Sequence, residues 1–185
     1  MFRGTGMGQL GLWWQRRRVA PADAPLPEIP QGAGPLLLVQ VALEARAAFA
    51  QVQRRLMRGR PDLRILDAGD PAPAAAETLM QAGPAALLLL GSDLPAALIQ
   101  AAARRDLPIF LAEGRFGPED LGWALRASAR RALLRQMRAV LVTDPASHSV
   151  VLRMGVDRRR ATMTGPVAEI RDPLPCSEAE RSTLA

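Results

Sequence analysis

The sequence of 185 residues contains no lysine, no asparagine and no tyrosine, and it has one cysteine, Cys176, and one histidine, His148. A single cysteine excludes an intrachain disulfide, and a lone Cys–His pair is too little for a zinc centre built from these ligands. We therefore expect no metal site and no catalytic role for Cys176 or His148. No apolar run reaches about 18 residues, so no segment is predicted to cross a bilayer.

Apolar residues and arginine are what the sequence does contain. Hydrophobic residues make up 49% of the chain, which is enough for a sizeable core and argues against global disorder. The formal net charge is +6, and every basic residue other than His148 is an arginine. Guanidinium groups match the geometry of phosphate and carboxylate, so we expect an anionic partner: nucleic acid, a membrane surface or a phosphorylated substrate.

The first 34 residues differ in composition from the rest. An apolar patch over 10–14 contains two adjacent tryptophans and is followed by three arginines at 16–18. The patch is too short for a secretory signal, and its charges lie on the wrong side. It suits either an interfacial membrane contact or a leader whose tryptophans pack back on the domain. Residues 19–34 are rich in proline, alanine and glycine, which is typical of an extended linker.

From residue 35 onward, short apolar runs alternate with helical patterns. The predicted strands are 35–41, 61–69, 85–90, 108–112, 139–142 and 160–164, and the predicted helices are 43–59, 72–81, 95–105, 117–137, 145–154 and one starting at 177. Apolar strands that alternate with helices predict an α/β fold, a Rossmann-like parallel sheet with helices on both faces. Asp144 is predicted to cap the helix that follows it, and Gly155 to end that helix.

Polar segments follow most of the predicted strands. They are DAGDP (67–71), GSDLP (91–95), AEGRF (112–116), TDPASH (143–148) and TGPV (164–167). In parallel α/β sheets ligands bind beyond the carboxyl ends of the strands. We therefore expect these segments to meet at one edge of the sheet and to form the functional site.

The order of these segments resembles the N-terminal, acceptor-side domain of the 3-deoxy-D-manno-octulosonic acid (Kdo) transferase family, which are two-domain GT-B glycosyltransferases. The similar segments are PLLLVQVALEA (35–45), PDLRIL (61–66), LLLLGSDLPAAL (87–98), DLPIFLAEGR (106–115), LVTDPASHSVVLRMGV (141–156) and ATMTGPV (161–167). The resemblance implies one half of a GT-B fold. It also implies transfer of Kdo from CMP-Kdo to lipid A precursor in lipopolysaccharide biosynthesis.

A glutamate in the family's first motif acts as general base on the acceptor hydroxyl. Without a gap the motif's histidine falls on Gln40 and its glutamate on Arg46, whereas a two-residue deletion brings Glu44 into register. The resemblance therefore implies Glu44 as the catalytic base. The alternative is structural, because an acid at the start of a helix interacts favourably with the helix dipole.

The family's second motif, Glu-Thr-Glu, falls on the GSDLP segment. Gly91 replaces the first glutamate, Ser92 stands for the threonine, and Asp93 stands for the second glutamate. The resemblance implies that Ser92 and Asp93 bind the substrate. Alternatively, one of them caps the helix that starts near Pro95, which would contribute about 1 kcal/mol.

Two further positions match the family. Arg115 keeps the arginine of Asn-Ala-Arg, with Glu113 at the asparagine, and Gly165 keeps the glycine of Thr-Gly-Asn, with Pro166 at the asparagine. The resemblance places both Arg115 and Gly165 in the substrate site. Arg115 is expected to contact a phosphate or carboxylate, and the alternative is a salt bridge to Glu113 or Glu119.

Two groups of arginines lie on predicted helices. One comprises Arg126, Arg130, Arg131, Arg135 and Arg138, and the other comprises Arg54, Arg55, Arg58 and Arg60. Each group is either a solvated helix face or a surface for anionic lipid headgroups or lipid A phosphates. No nucleic acid partner is expected, because the aromatic residues form no recognised RNA-binding motif with the arginines; RNA contact is the weakest alternative.

These observations predict a leader and linker over 1–34, a Rossmann-like glycosyltransferase N-terminal domain over 35–176, and the start of a helix or linker over 177–185. The predicted function is that of a Kdo transferase domain, incomplete or degenerate and inactive by itself, cytoplasmic and peripheral to the inner membrane. The resemblance implies CMP-Kdo as donor and no other cofactor. The alternative is a non-catalytic binding or scaffold module for a phosphorylated lipid or a separate donor-domain chain.

Overall fold

The computed structural model describes residues 26–122 and 125–166, and within them six strands form one sheet. The strands are β1 (Leu36–Val41), β2 (Arg64–Asp67), β3 (Ala86–Leu90), β4 (Ile109–Gly114), β5 (Ala139–Val142) and β6 (Ala161–Met163). Their order is β2-β1-β3-β4-β5-β6, and every neighbouring pair is parallel. The expected Rossmann-like parallel sheet is confirmed. The apolar patch at 10–14, Cys176 and the helix predicted from 177 lie outside the described residues.

Five α-helices and two short 3-10 turns connect the strands. The helices are α1 (Arg46–Gly59), α2 (Pro73–Gln81), α3 (Ala96–Arg104), α4 (Leu125–Leu134) and α5 (Pro145–Arg153), and the 3-10 turns are Leu43–Ala45 and Pro118–Leu121. Apart from the predicted helix over 117–137, the predicted helices of this part of the chain are confirmed to within a few residues at their ends.

The prediction of one helix over 117–137 was wrong. The 3-10 turn Pro118–Leu121 ends at Gly122, whose φ of −56° and ψ of 167° are extended, and α4 starts only at Leu125. Glycine is a poor helix former because it loses the most backbone freedom on folding. The Arg131 guanidinium donates to the carbonyl oxygens of Leu121 and Gly122, so a side chain satisfies backbone acceptors that a continuous helix would have paired internally.

Two apolar layers cover the sheet. On one face, strand residues such as Leu38, Leu89 and Val140 form the main core with residues of α2, α3, α4 and α5. On the opposite face, Val39 and Leu90 pack with residues of α1. Because side chains alternate between the faces of a strand, the nearly uninterrupted apolar runs are what allows both faces to be buried.

Two local sequence signals are confirmed at α5. The Asp144 carboxylate accepts a hydrogen bond of 2.8 Å from the Ser147 amide, and Pro145 occupies the first helical position. Beyond the last turn, Gly155 has a φ of +87°, which is the left-handed region that glycine enters without a Cβ penalty.

Candidate functional site

The strand order contains a point where the direction of sheet growth reverses. From β1 the chain goes to β2 on one side, and then returns to β3 on the other side of β1. Ligands of doubly wound sheets bind in the crevice at such a switch point, beyond the carboxyl ends of the strands. Here that crevice lies between the turn after β1, which carries Glu44, and the turn after β3, which carries Ser92 and Asp93. The expected convergence of the polar segments on one edge follows from the parallel pairing.

The turns after β1 and β3 touch each other directly. One Glu44 carboxylate oxygen accepts a hydrogen bond of 3.1 Å from the Ser92 amide, and the Ala42 amide donates to the Leu90 carbonyl at 2.8 Å. Glu44 is exposed and lies in the 3-10 turn Leu43–Ala45, whereas the first turn of α1 itself contains no acid, so the structural alternative applies only to that short turn. The same carboxylate also lies at the switch point, beside the turn that follows β3.

Ser92 also joins the β3 turn to the β4 turn. Its hydroxyl donates to the Arg115 carbonyl at 2.7 Å and accepts from the Arg115 amide at 3.0 Å. The predicted cap role of Ser92 or Asp93 was wrong: Pro95 is the N-cap residue of α3, and no side chain caps it. The reason is a competing tertiary partner, since the hydroxyl pairs with a strand end rather than with its own helix.

Arg115 contributes its backbone to this junction, and its side chain is exposed at the same edge. The preceding Glu113 is 7% exposed and has a φ of +59°, a region that non-glycine residues rarely enter. The pairing of β4 with β5 shifts its register between Leu111 and Gly114. Irregularities of this kind redirect the chain at a strand end, and here the Arg115 backbone that follows lies within hydrogen-bonding distance of Ser92.

A part-buried arginine from α4 lies behind these turns. Arg130 Nε lies 2.9 Å from Asp120 Oδ1, and each side chain is only 13% exposed. The same guanidinium donates to the Ser92 carbonyl at 3.1 Å and lies 5.5 Å from the centre of the Phe116 ring. Burial lowers the pKa of Arg130, an effect that the charge of Asp120 opposes. Arg130 therefore lies neither on a solvated helix face nor on an exposed surface for lipid phosphates, the two alternatives for its group of arginines.

Asp93 is exposed and has an acidic neighbour. Partial desolvation raises the pKa of Asp70, and the negative charge of Asp93 adds to that increase. Asp70 follows β2 and Asp93 follows β3, so the two carboxylates flank the end of β1. This part of the edge offers acceptors to a ligand that donates hydrogen bonds.

Gln40 lies near the end of β1, between the segments that carry those two carboxylates. It is 5% exposed, and no partner for its Oε1 atom is found in the described part of the chain. A buried amide oxygen without a partner is available to accept a hydrogen bond from a ligand or a water.

The β5 turn is attached to the β4 turn through Ser147. The Phe116 amide donates to the Ser147 hydroxyl at 3.0 Å, and that hydroxyl lies 2.7 Å from Asp144 Oδ2. His148, next to Ser147, is half-buried, with Nε2 lying 3.4 Å from the Ala161 carbonyl oxygen.

The predicted site residues thus fall into two groups. Glu44, Ser92 and the backbone of Arg115 are in direct contact, and Asp93 extends from the same turn. Gly165 follows β6, which is three strands away from β3, and its φ is +74°. Gly165 lies on the same edge of the sheet. Within the described part of the chain, it makes no contact with the other predicted site residues.

The structure adds Arg130 and Asp120, which the sequence did not indicate as residues of this edge, and it gives Ser147 of the segment TDPASH a specific contact. Asp120 had a partial signal, because an acid three residues after Gly117 fits a capping arrangement, and its carboxylate does accept from the Gly117 amide at 3.1 Å. Arg130 had none, since it is one of several arginines on the same helix.

A family model described as 3-deoxy-D-manno-octulosonic-acid transferase (kdotransferase), of the glycosyltransferase N-terminal domain type, matches residues 39–168. The match covers well over half of the chain. The chain belongs to this family. No curated protein matches it significantly.

Gly91 stands where the resemblance aligns the first glutamate of the family's second motif. A Cβ atom at this position would lie 2.6 Å from Ala42 Cβ, 3.0 Å from a Glu44 carboxylate oxygen and 3.2 Å from Ala45 Cβ. Gly91 also has a φ of +97°. Neither the space nor the backbone suits the glutamate of the family motif, so the close contact between the β1 and β3 turns depends on glycine.

Solved structures share the fold of this Kdo transferase domain. An MnaA–UDP complex from S. aureus has a TM-score of 0.56 at 11% identity, over 81% of this chain and 51% of the other. A UDP-N-acetylglucosamine 2-epimerase has a TM-score of 0.56 at 10% identity, covering 74% and 49%. The Neisseria meningitidis UDP-GlcNAc 2-epimerase bound to UDP-GlcNAc has a TM-score of 0.54 at 14% identity, over 72% of this chain and 47% of the other. The chain spans about half the length of these proteins and has the Rossmann-like fold of one GT-B half.

None of the helices among the described residues of the domain is both long and apolar enough to span a membrane.

Proposed function

We propose that this chain is the acceptor-side half of a transferase that moves Kdo from CMP-Kdo to lipid A precursor, and that it does not catalyse the transfer alone. One observation supports this assignment most strongly: the exposed carboxylate of Glu44 lies at the switch point in a chain of the Kdo transferase family. A carboxylate there can take the proton of an acceptor hydroxyl that binds within hydrogen-bonding distance.

The remaining edge supplies the groups that such a reaction needs. Asp93 and the Gln40 amide oxygen are acceptors for sugar hydroxyls, and the exposed guanidinium of Arg115 is a partner for phosphate. Gly165 forms the far end of the acceptor region in this proposal. A sugar nucleotide would need a second domain opposite this edge, because a single GT-B half offers only one wall of the cleft.

The test compares the chain alone with the chain supplied with a donor-binding half from a complete family member. With CMP-Kdo and tetra-acylated lipid A precursor, we expect no product from the chain alone and measurable product from the pair. Glu44→Gln should abolish that product, whereas Glu28→Gln, a change in an exposed residue before β1, should not. Turnover by the isolated chain would contradict the proposed incompleteness, and failure of the chain to bind the acceptor would contradict the acceptor role.

A specific observation favours a second function, that of a non-catalytic binding or scaffold module. Gly91 closes the β1 and β3 turns on each other, and Glu44 uses one carboxylate oxygen to hold the Ser92 amide. Glu44 would then be structural, and the chain would bind a phosphorylated lipid or a donor-domain chain without transfer. Acceptor binding together with no product in the paired assay is the outcome that supports this function over the first.

We also propose peripheral contact with an anionic membrane, at the cytoplasmic face of the inner membrane. Arg54, Arg55 and Arg58 are exposed on α1, and the apolar side chain of Met57, on the same helix, is 41% exposed. Basic residues beside exposed apolar side chains are typical of surfaces that bind anionic lipid headgroups.

A further inference from the structure

The turns that follow β1, β3 and β4 are connected by hydrogen bonds that involve side chains, and all of these hydrogen bonds include Ser92. Glu44 holds its amide, the Arg115 backbone pairs with its hydroxyl, and Arg130 donates to its carbonyl. Ser92 therefore has a fixed partner on each of its polar groups. Two of those partners are on strand-end turns, and the third, Arg130, comes from the helix behind them.

Arg130 also fixes the turn that follows β4. Its Nε atom lies 2.9 Å from Asp120, and the other oxygen of that carboxylate accepts from the Gly117 amide at 3.1 Å. Its guanidinium lies over the Phe116 ring. One part-buried cation thus connects the β3 turn, through Ser92, to the 116–120 segment, through Asp120 and Phe116.

The charge that holds these turns is costly to remove from only one side. A largely desolvated ion pair that loses one partner leaves the other charge uncompensated, and the planar fork of guanidinium donors fits acceptors on two sides better than the compact ammonium of lysine does. The geometry of the turns around Ser92 therefore depends on which residue occupies position 130, although this residue lies on α4, behind the exposed edge.

We propose that Arg130 is a positioning residue for the acceptor side of the site: it holds the Gly91–Leu94 and Phe116–Asp120 segments together, so that Glu44, Asp93 and Arg115 keep their relative places. The expected effect of Arg130 on acceptor binding rests on the proposed function. The positioning of the two segments depends only on the contacts around Ser92. Arg130 acts through Ser92 and Asp120 and touches no substrate.

The test measures hydrogen exchange of the Ser92 and Arg115 amides in the full chain. Arg130→Met/Asp120→Asn removes the pair without leaving one charge uncompensated, and it provides the test should Arg130→Met alone not fold. We expect at least tenfold faster exchange at these two amides, with the core amides of Leu111 and Val140 unchanged. Arg126→Met, an exposed arginine on the same helix, should leave all four amides unchanged, and Arg130→Lys should give an intermediate effect.

The second readout is the affinity of the same variants for tetra-acylated lipid A precursor. The double variant should bind at least fivefold more weakly than the wild type, and Arg126→Met should bind equally well. Unchanged exchange at Ser92 and Arg115, equal acceleration of all amides, or faster exchange with unchanged affinity would each overturn the proposal. If the wild type does not bind the acceptor, the proposed function fails, and accelerated exchange at the two amides would still establish that Arg130 positions the turns.

Discussion

The functional edge and the basic surface of α1 both contain arginines, but their contacts differ in range. At the edge, the hydrogen bonds of Ser92 join residues 23 to 48 positions apart in sequence. On the α1 surface, Arg54 bonds to a carbonyl four residues away in its own helix, and Arg60 pairs with Asp62 two residues away. Long-range contacts form only when the whole sheet is assembled, whereas local ones survive without it. The edge should therefore be sensitive to substitution, and the α1 surface should be free to bind other molecules.

The largest expected difference is between two glycines, one in each region. Gly91→Ala places a Cβ atom 2.6 Å from Ala42 Cβ at a φ of +97°, and we expect a loss of about 3 kcal/mol in the free energy of unfolding. Gly59→Ala, at the end of α1, meets nothing within 4 Å and should be neutral or stabilising by up to about 1 kcal/mol. Urea unfolding of both variants measures the contrast. Similar losses in the free energy of unfolding for the two variants would contradict the expected difference in sensitivity between the edge and the α1 surface.

A smaller contrast is expected between two serines of α5. Ser147 is 3% exposed, and its hydroxyl links Phe116 to Asp144, so Ser147→Ala should cost about 1 to 2 kcal/mol. Ser149 is exposed on the same helix, and Ser149→Ala should change stability by less than about 0.5 kcal/mol. Thermal unfolding followed by circular dichroism would show whether Ser147→Ala lowers the free energy of unfolding by more than Ser149→Ala does.

The pH dependence of stability should show the contribution of Asp144. Hydrogen bonds from the Ser147 amide and hydroxyl lower the pKa of the Asp144 carboxyl below its value in the unfolded chain. A lowered acid pKa stabilises the fold above the unfolded pKa near 4 and loses that contribution as pH falls through the folded pKa. Asp144→Ala should cost about 1 kcal/mol at neutral pH and less at each step below pH 4. Unfolding curves between pH 3 and about 7 check this; a constant difference between variant and wild type would contradict it.

The smallest effect on folding is expected on the α1 surface. Arg55→Ala should change the free energy of unfolding by less than about 0.5 kcal/mol. If the surface binds anionic membranes, the same variant should weaken binding to phosphatidylglycerol vesicles by about 1 kcal/mol, and the effect should shrink at high salt. Arg153→Ala, an exposed arginine on α5, is the matched control. Equal loss of vesicle binding in both variants would mean that net charge, and not the α1 surface, is responsible.

The contrast in contact range also explains what the sequence revealed. The strands and the Asp144 cap were predictable because their causes lie within a few residues: apolar runs, and an acid followed by Pro145. Ser92 and Asp93 gave the same local signal before α3, and there the prediction was wrong because the hydroxyl found Arg115, 23 residues away. A cap signature cannot reveal a competing partner from another strand.

The same reasoning applies to Arg130. Nothing in its neighbourhood distinguishes it from Arg126, yet only Arg130 lies against the Phe116–Asp120 segment. That segment is separate from α4 because the 3-10 turn ends at Gly122. The helical pattern over 117–137 did not reveal this interruption. The placement of Glu44 opposite Ser92 was anticipated by the family motif, whereas the direct hydrogen bond between them depends on the missing Cβ of Gly91.

The strand order has a consequence for how the protein is made. From β3 to β6 each strand joins the sheet beside the one synthesised just before it, so the growing edge follows the direction of translation. The emerging chain can pair β1, β2 and β3 early, but the Ser92 hydroxyl must wait for β4, and the Ser92 carbonyl must wait for α4. If the chain folds as it is synthesised, we therefore expect the functional edge to be completed in steps, as β4 and then α4 emerge.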